Sequence, residues 1–275
     1  MTEKLGFLRK MRTQLADPVQ YEFILDQESF NLNQFLNKDI TVEFLNEINC
    51  IQCGRKTPKS FQQGFCFPCM QRINECNNCQ LFPEKCLVET GKCPENDWAH
   101  AQCHQKQIVY LANSTGLKVG ITRLTQMPTR WIDQGAAQAL PIFETQNRYQ
   151  CGLIEVALKQ FVSDRTNWRD MLKNNIADID LIALKNKLLM DSKKSLENIL
   201  NKYHNQIILL DNQNITKINY PVLEYPTIIK SLSFDKTSHI TGKLLGIKGQ
   251  YLMLDTGVLN IRKFGGYLVR FFACS

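Results

Sequence analysis

The chain is expected to fold as an α+β mosaic of small units. Three observations carry that expectation. Short runs alternating apolar with polar residues sit near both ends, nine of the eleven cysteines crowd between Cys50 and Cys103, and helical periodicity is confined to the stretch from Met127 to about residue 205. Alternation marks half-buried strands, clustered thiols mark a metal-stapled segment, and a 3.6-residue period marks helices packed on one side. At 275 residues the chain could bury one large core, but its composition changes along its length, which favours several units.

Residues 1–49 are expected to be a small N-terminal β unit, because Val19–Leu25 and Ile40–Phe44 alternate as strands with one buried face do. Residues 50–104 are poor in aliphatic periodicity and rich in Gly, Pro and Asn, so this cysteine-rich module needs a metal to fold. Residues 105–175 begin with a hairpin, strands Gln107–Ala112 and Leu117–Thr122 around a turn at Asn113–Gly116. Helices follow: Met127–Gln134 opens with Pro128, and Tyr149–Val162 places Leu153, Ile154, Ala157, Leu158 and Phe161 on one face. Residues 176–219, with leucines among many Lys and Asn, suggest a helical linker solvated on one side. Residues 220–275 return to strands, with turn glycines at Gly242, Gly246, Gly249, Gly257 and Gly265–Gly266 spaced as in a small curved C-terminal sheet.

The knuckles Cys50-Ile-Gln-Cys53 and Cys66-Phe-Pro-Cys69 have the spacing of a tetrahedral zinc site. Gly54 follows the first pair and permits the backbone turn that aims amides at sulfur. A second ion is expected downstream, where Cys76, Cys79, Cys86, Cys93 and Cys103 offer five thiolates beside His100 and His104. The Cys76–Cys79 pair belongs to that site; spacing does not choose among Cys86, Cys93 and Cys103, and an iron–sulfur cluster takes the same four thiolates as zinc. An all-thiolate ion holds structure and activates no water. Cys151 and Cys274 stand apart, as simple thiols.

Lys plus Arg outnumber Asp plus Glu by 33 to 26, a net charge of +7 that favours a polyanionic partner. There is no apolar run of signal-peptide or membrane-spanning length, so no membrane partner and a cytoplasmic location are expected, where clustered thiols stay reduced and serve as ligands.

In the hairpin unit the order Ile108-Val-Tyr110, Lys118-Val-Gly120-Ile-Thr122, Arg130 and Glu155 resembles the GIY-YIG nuclease superfamily. The resemblance implies a tyrosine on each hairpin strand, an arginine on the next helix and a glutamate holding one divalent metal, here magnesium. Tyr110 matches the first tyrosine, Gly120 the glycine of the second half-motif, Arg130 the arginine, Glu155 the metal-binding glutamate, and Asn167 a late asparagine. The second tyrosine is replaced by Lys118, and Gln134 stands where a histidine or tyrosine is usual. A lysine beside phosphate stays protonated, a poor base and a good phosphate ligand. The stretches Val109–Arg123, Arg130–Ala136, Asp164–Arg169 and Gly246–Leu252 also resemble a bacterial family known only as a conserved domain of unknown function, grouped with the GIY-YIG fold.

These readings lead to a zinc-stabilised nucleic-acid-binding protein, RNA ahead of DNA, with Tyr110, Lys118, Arg130 and Glu155 as candidate catalytic residues. Arg123, Arg130, Gln134, Asn167 and Arg169 are the candidate nucleic-acid contacts, because basic groups among aromatics suit phosphates and bases. The alternatives are a non-catalytic module that keeps only the phosphate grip, and a metal-cluster interaction protein.

Overall fold

The computed structural model describes residues 2–73, 78–93, 97–162, 167–211 and 214–273. Strands β1 (Thr2–Phe7), β2 (Arg12–Gln14), β3 (Gln20–Leu25), β4 (Glu28–Asn31) and β5 (Asp39–Ile48) come first, then the short helices α1 (Phe67–Arg72), α2 (Asn78–Leu81) and α3 (Asp97–Gln102). The middle of the chain runs β6 (Gln107–Asn113), β7 (Leu117–Arg123), α4 (Thr129–Asp133), β8 (Gln138–Thr145), α5 (Arg148–Lys159), α6 (Trp168–Leu172), α7 (Leu181–Asp191) and α8 (Lys193–Lys202). Strands β9 (Ile207–Leu209), β10 (Thr216–Lys217), β11 (His239–Lys248), β12 (Tyr251–Leu254), β13 (Gly257–Asn260) and β14 (Tyr267–Ala273) complete a mixed α+β architecture.

A six-stranded sheet has the order β1-β14-β5-β11-β12-β13, so strands from both ends of the chain interleave. The segments read from sequence as separate N- and C-terminal β units therefore share one sheet. Val42 of β5 faces Phe271 on one side and Ile240 on the other, and a three-stranded sheet, β2-β3-β4, packs against this surface. Tyr21, Phe23 and Leu25 of β3 are buried as the alternation predicts, and Phe23 meets Phe271 at 5.4 Å between ring centroids.

The other sheet is β10-β8-β6-β7, with β9 also paired to β8. Its strand β6 is buried on both faces. Ile108, Tyr110 and Ala112 join the core shared with the β layers, whereas Val109 and Leu111 join a second core with α5, α7 and α8. Two buried faces explain why this segment reads as a continuous apolar run. Leu181, Leu188 and Leu196 are buried in the second core, so residues 176–219 form part of this layer, although their Lys and Asn suggested a solvated linker. On α5 Ile154, Ala157 and Leu158 are buried and Leu153 partly so; Phe161 lies past the Gln160 cap and is exposed. Cys151 is buried in this core, and Cys274 lies outside the described residues.

The tail residues Lys243, Lys248, Arg262 and Lys263 read from the sequence as a basic face for nucleic acid or solvent, yet Lys248 is fully buried at the end of β11. Its Nζ donates to Asn174 Oδ1 at 3.0 Å and lies 5.3 Å from the ring centroids of both Tyr220 and Tyr225. Burial lowers its pKa to about 8. An unfolded lysine titrates near ~10.4, so between pH ~8 and ~10 the unfolded chain binds more protons and stability rises with pH. Lys248→Met is expected to flatten that rise in urea unfolding across this window. An unchanged slope would show that the side chain keeps its ordinary pKa.

Candidate metal centre and basic cleft

Where β5 ends, the chain turns through two knuckles. Cys50 N–H donates to Arg55 O and Gly54 N–H to Cys50 O, both at 2.9 Å, with Gly54 at φ +69°. This left-handed position favours glycine. Cys66 precedes α1, whose first turn holds Pro68, and Ile51 N–H donates to Gly64 O at 2.9 Å, tying one knuckle to the other. The Sγ atoms of Cys50, Cys53, Cys66 and Cys69 all lie within 4.8 Å of one another, and Cys53 and Cys66 are 3.8 Å apart. Zinc–sulfur bonds of ~2.3 Å in a tetrahedron give sulfur–sulfur edges of ~3.8 Å. The four thiols therefore fit zinc. Burial opposes ionisation of Cys50, but the amides of Cys53, Cys66 and Gln52 outweigh it and bring its pKa to about 6. Such N–H···S bonds favour the thiolate that a metal needs. The Cys69 thiol is pushed up to about 12, first by its hydrogen bond with Cys66.

The downstream cysteines are arranged differently. Cys76 lies outside the described residues, and among those described no second group of three or more ligands converges as the first does. Cys86 and Cys103 are both buried and hydrogen-bonded to each other. The Cys103 bond, helped by the Val88 amide and Arg148, outweighs burial and lowers Cys86 to about 6; the same bond and burial push Cys103 up. Cys93 is raised by burial and by the nearby Cys86 and Cys79. The His100 and His104 rings lie 4.9 Å apart, tilted by 36°.

This cysteine loop is docked onto α5. Arg148 Nη2 donates to Gln80 O at 2.8 Å and its N–H to Cys103 O at 3.0 Å. Glu89 accepts from Asn147 and Gln150 at 2.8 Å and from Tyr203 at 2.7 Å, bonds that outweigh burial and hold its carboxyl below the usual range. At Gly152 a side chain would strike the backbone of Pro83 and Glu84, so the loop's approach needs glycine.

The β6–β7 hairpin sets Tyr110 opposite Gly120, where an added Cβ would lie 2.7 Å from the Tyr110 hydroxyl. Glycine is what lets the ring cross the strand. The hydroxyl donates to Gln134 Oε1 at 2.8 Å, and Lys118 Nζ donates to the same oxygen at 3.1 Å. Burial raises Tyr110 to about 12 despite its hydrogen bond with Arg130, so it stays protonated near neutral pH. Glu155 comes from α5, is buried, and pairs with Lys159 at 3.4 Å.

Tyr110, Lys118, Arg130 and Glu155 thus line one cleft of about 670 Å³, together with Arg123 and Gln134. Its wall carries Lys10, Lys118, Arg123, Arg130, Arg148, Lys159 and Arg262, seven cations against the two carboxylates Asp133 and Glu155. Asp133 is held by Lys10 and by Gln250 Nε2 at 2.9 Å. Gln80, Leu81 and Pro83 of the cysteine loop complete the wall. Asn167 and Arg169 do not line this cleft. Asn167 caps α6, while Arg169 lies 4.5 Å over Trp168, which stacks on Tyr251 at 5.7 Å. Sequence reasoning missed Lys10, Arg148 and Lys159. The spacing of Arg148, Glu155 and Lys159, seven and four residues apart, could have revealed one helix face; Lys10 gives no local signal.

Fold and site together define an α+β protein with a tetrathiolate ribbon that could hold a metal such as zinc, beside a basic cleft. Residues 37–269 match the family described as "Protein of unknown function (DUF2797)", and the chain belongs to that family. No curated protein and no solved structure matches it significantly. No helix among the described residues is long and apolar enough to cross a membrane.

Proposed function

We propose that this protein is a zinc-stabilised nucleic-acid-binding protein whose GIY-YIG-like hairpin unit grips phosphodiesters in the basic cleft. The seven-to-two excess of cations around that cleft carries the reading. Phosphate is the polyanion such a surface attracts, and counterion release makes the attraction salt-dependent. Labelled RNA and DNA should bind in anisotropy titrations, with affinity falling steeply as salt rises. Arg130→Ala should weaken binding across sequences and lower the salt slope by about one. A flat salt response removes the proposal.

A second reading, magnesium-dependent phosphodiester hydrolysis, is favoured by Glu155 facing the same cleft as Tyr110 and Arg130. Magnesium on Glu155 would stabilise the leaving oxygen. Arg130 would neutralise the phosphate, and Lys118 would position the attacking water. The high pKa of Tyr110 keeps it protonated, so it supplies no base at neutral pH, which is why binding is placed first. Magnesium-dependent cleavage lost in Glu155→Gln, with binding kept, would put hydrolysis first.

We also propose a second zinc in the downstream cysteine loop, on four of the thiolates of Cys76, Cys79, Cys86, Cys93 and Cys103. The buried, hydrogen-bonded pair Cys86 and Cys103 supports it. Because this loop forms part of the cleft wall, its metal would hold that wall against α5.

A further inference from the structure

Consecutive residues of the 3-10 turn Ile261–Phe264 line two different cavities. Arg262 lines the basic cleft, and Lys263 lines a groove of about 970 Å³ between the ribbon and the six-stranded sheet. Neighbouring Cα atoms are ~3.8 Å apart, so only the backbone of this turn separates Arg262 of the one depression from Lys263 of the other.

The groove combines three kinds of side chain. Its floor is aromatic: the half-buried Phe44 ring lies 4.8 Å from Tyr267 and 5.9 Å from Phe234, both buried beneath it, so Phe44 is the ring open to the groove. The amides of Asn46, Gln62 and Gln63 stand along the side. Lys56 and Lys59 of the ribbon and Lys263 of the turn are exposed at the rim. The facing carboxylate, Asp235, accepts from Lys263 at 2.9 Å and from the Tyr267 hydroxyl at 3.2 Å, and Lys56 pairs with Glu47 at 3.4 Å.

We infer that this groove receives one unpaired nucleotide of a single-stranded nucleic acid whose phosphate backbone continues past Lys263 and Arg262 into the cleft. The inference rests on the nucleic-acid reading of the cleft and adds a base site to it. An aromatic floor stacks a base of any sequence, and amides supply both donors and acceptors to its edge. The lysines meet the flanking phosphates as mobile point charges. An acidic peptide would engage the lysines but would leave the ring cluster and amides without planar partners. A base held in a duplex stack cannot reach the floor.

The test uses the zinc-loaded full chain and a single-stranded RNA of about a dozen nucleotides carrying 4-thiouridine, long enough to span both cavities. Crosslinked peptides are expected to contain Phe44 or Tyr267. Lys59→Glu, checked for unchanged zinc content and melting, should weaken binding about tenfold and remove that crosslink. Arg262→Ala should weaken binding while the groove crosslink persists at saturation, and a duplex of the same sequence should not crosslink there. Wild-type affinity in Lys59→Glu, with crosslinks confined to cleft residues, overturns the groove and leaves the cleft reading standing. Absence of binding to this RNA and to the DNA of the same sequence ends both. Lys59-dependent binding of polyglutamate without groove crosslinking to RNA would make the occupant a peptide and also overturn the inference.

Discussion

Cys66→Ser is expected to strip the metal from the ribbon and to destabilise the protein by at least about 4 kcal/mol, since metal loss is among the few single changes of that size. The ribbon between β5 and α1 has little apolar burial of its own: Ile51, Phe67 and their neighbours are exposed, and the buried groups are chiefly Cys50 and Cys66. Without an ion the Cys50 and Cys66 thiols would keep only weak bonds to sulfur, from nearby amides and from neighbouring thiols. Elemental analysis should find zinc in the wild-type chain and one equivalent fewer in the variant. Two ions falling to one would support the downstream site as well, and one falling to none would assign all the zinc to the ribbon. Undiminished metal and melting temperature in Cys66→Ser would remove the ribbon as a metal centre.

Gly266→Ala is the second large effect. Gly266 has φ +83°, where a side chain is strained, and an added Cβ would run into the Asn49 carbonyl. Asn49 N–H donates to Gly266 O at 2.8 Å, and the adjoining Gly265 O accepts from Ser60 Oγ at 3.3 Å. This is where the ribbon is fastened to the sheet. Backbone strain of ~1–2 kcal/mol and a weakened buried hydrogen bond of ~1–2 kcal/mol give an expected loss of about 3 kcal/mol in urea unfolding. Zinc should also leave the variant faster in a chelator-exchange assay. Stability within about 0.5 kcal/mol of wild type would mean that the turn shifts without cost.

Local signals revealed local structure. The hairpin was legible because a turn at Asn113–Gly116 separates two apolar runs, and the knuckles because metal spacing is rigid. It was the resemblance to the GIY-YIG superfamily that grouped Tyr110, Lys118, Arg130 and Glu155, and the four line one cleft. The pairing of β14 with β1 and β5 could not be read, because strand partners more than 200 residues apart leave no period in either segment. Lys10 reaches the cleft through that long-range pairing and was equally silent. The leucines of α7 and α8 were masked by their polar neighbours, whose side chains cover the outer face while Leu181, Leu188 and Leu196 cover the sheet. Lys248 misled for a related reason: charge in a sequence suggests solvent, and only the surrounding tyrosines reveal an interior.

Because β14 is wedged between β1 and β5, these two strands have no common neighbour until the ribosome has added more than 200 further residues. Through most of synthesis β5 therefore shows open backbone edges, the kind of surface on which nascent chains associate or recruit chaperones. The β6–β7 hairpin, closed by contacts between near neighbours, can form long before. Birth order and assembly order thus run opposite ways for the outer layer, and a stall in translation shortly before β14 emerges would strand β1 and β5 without their keystone.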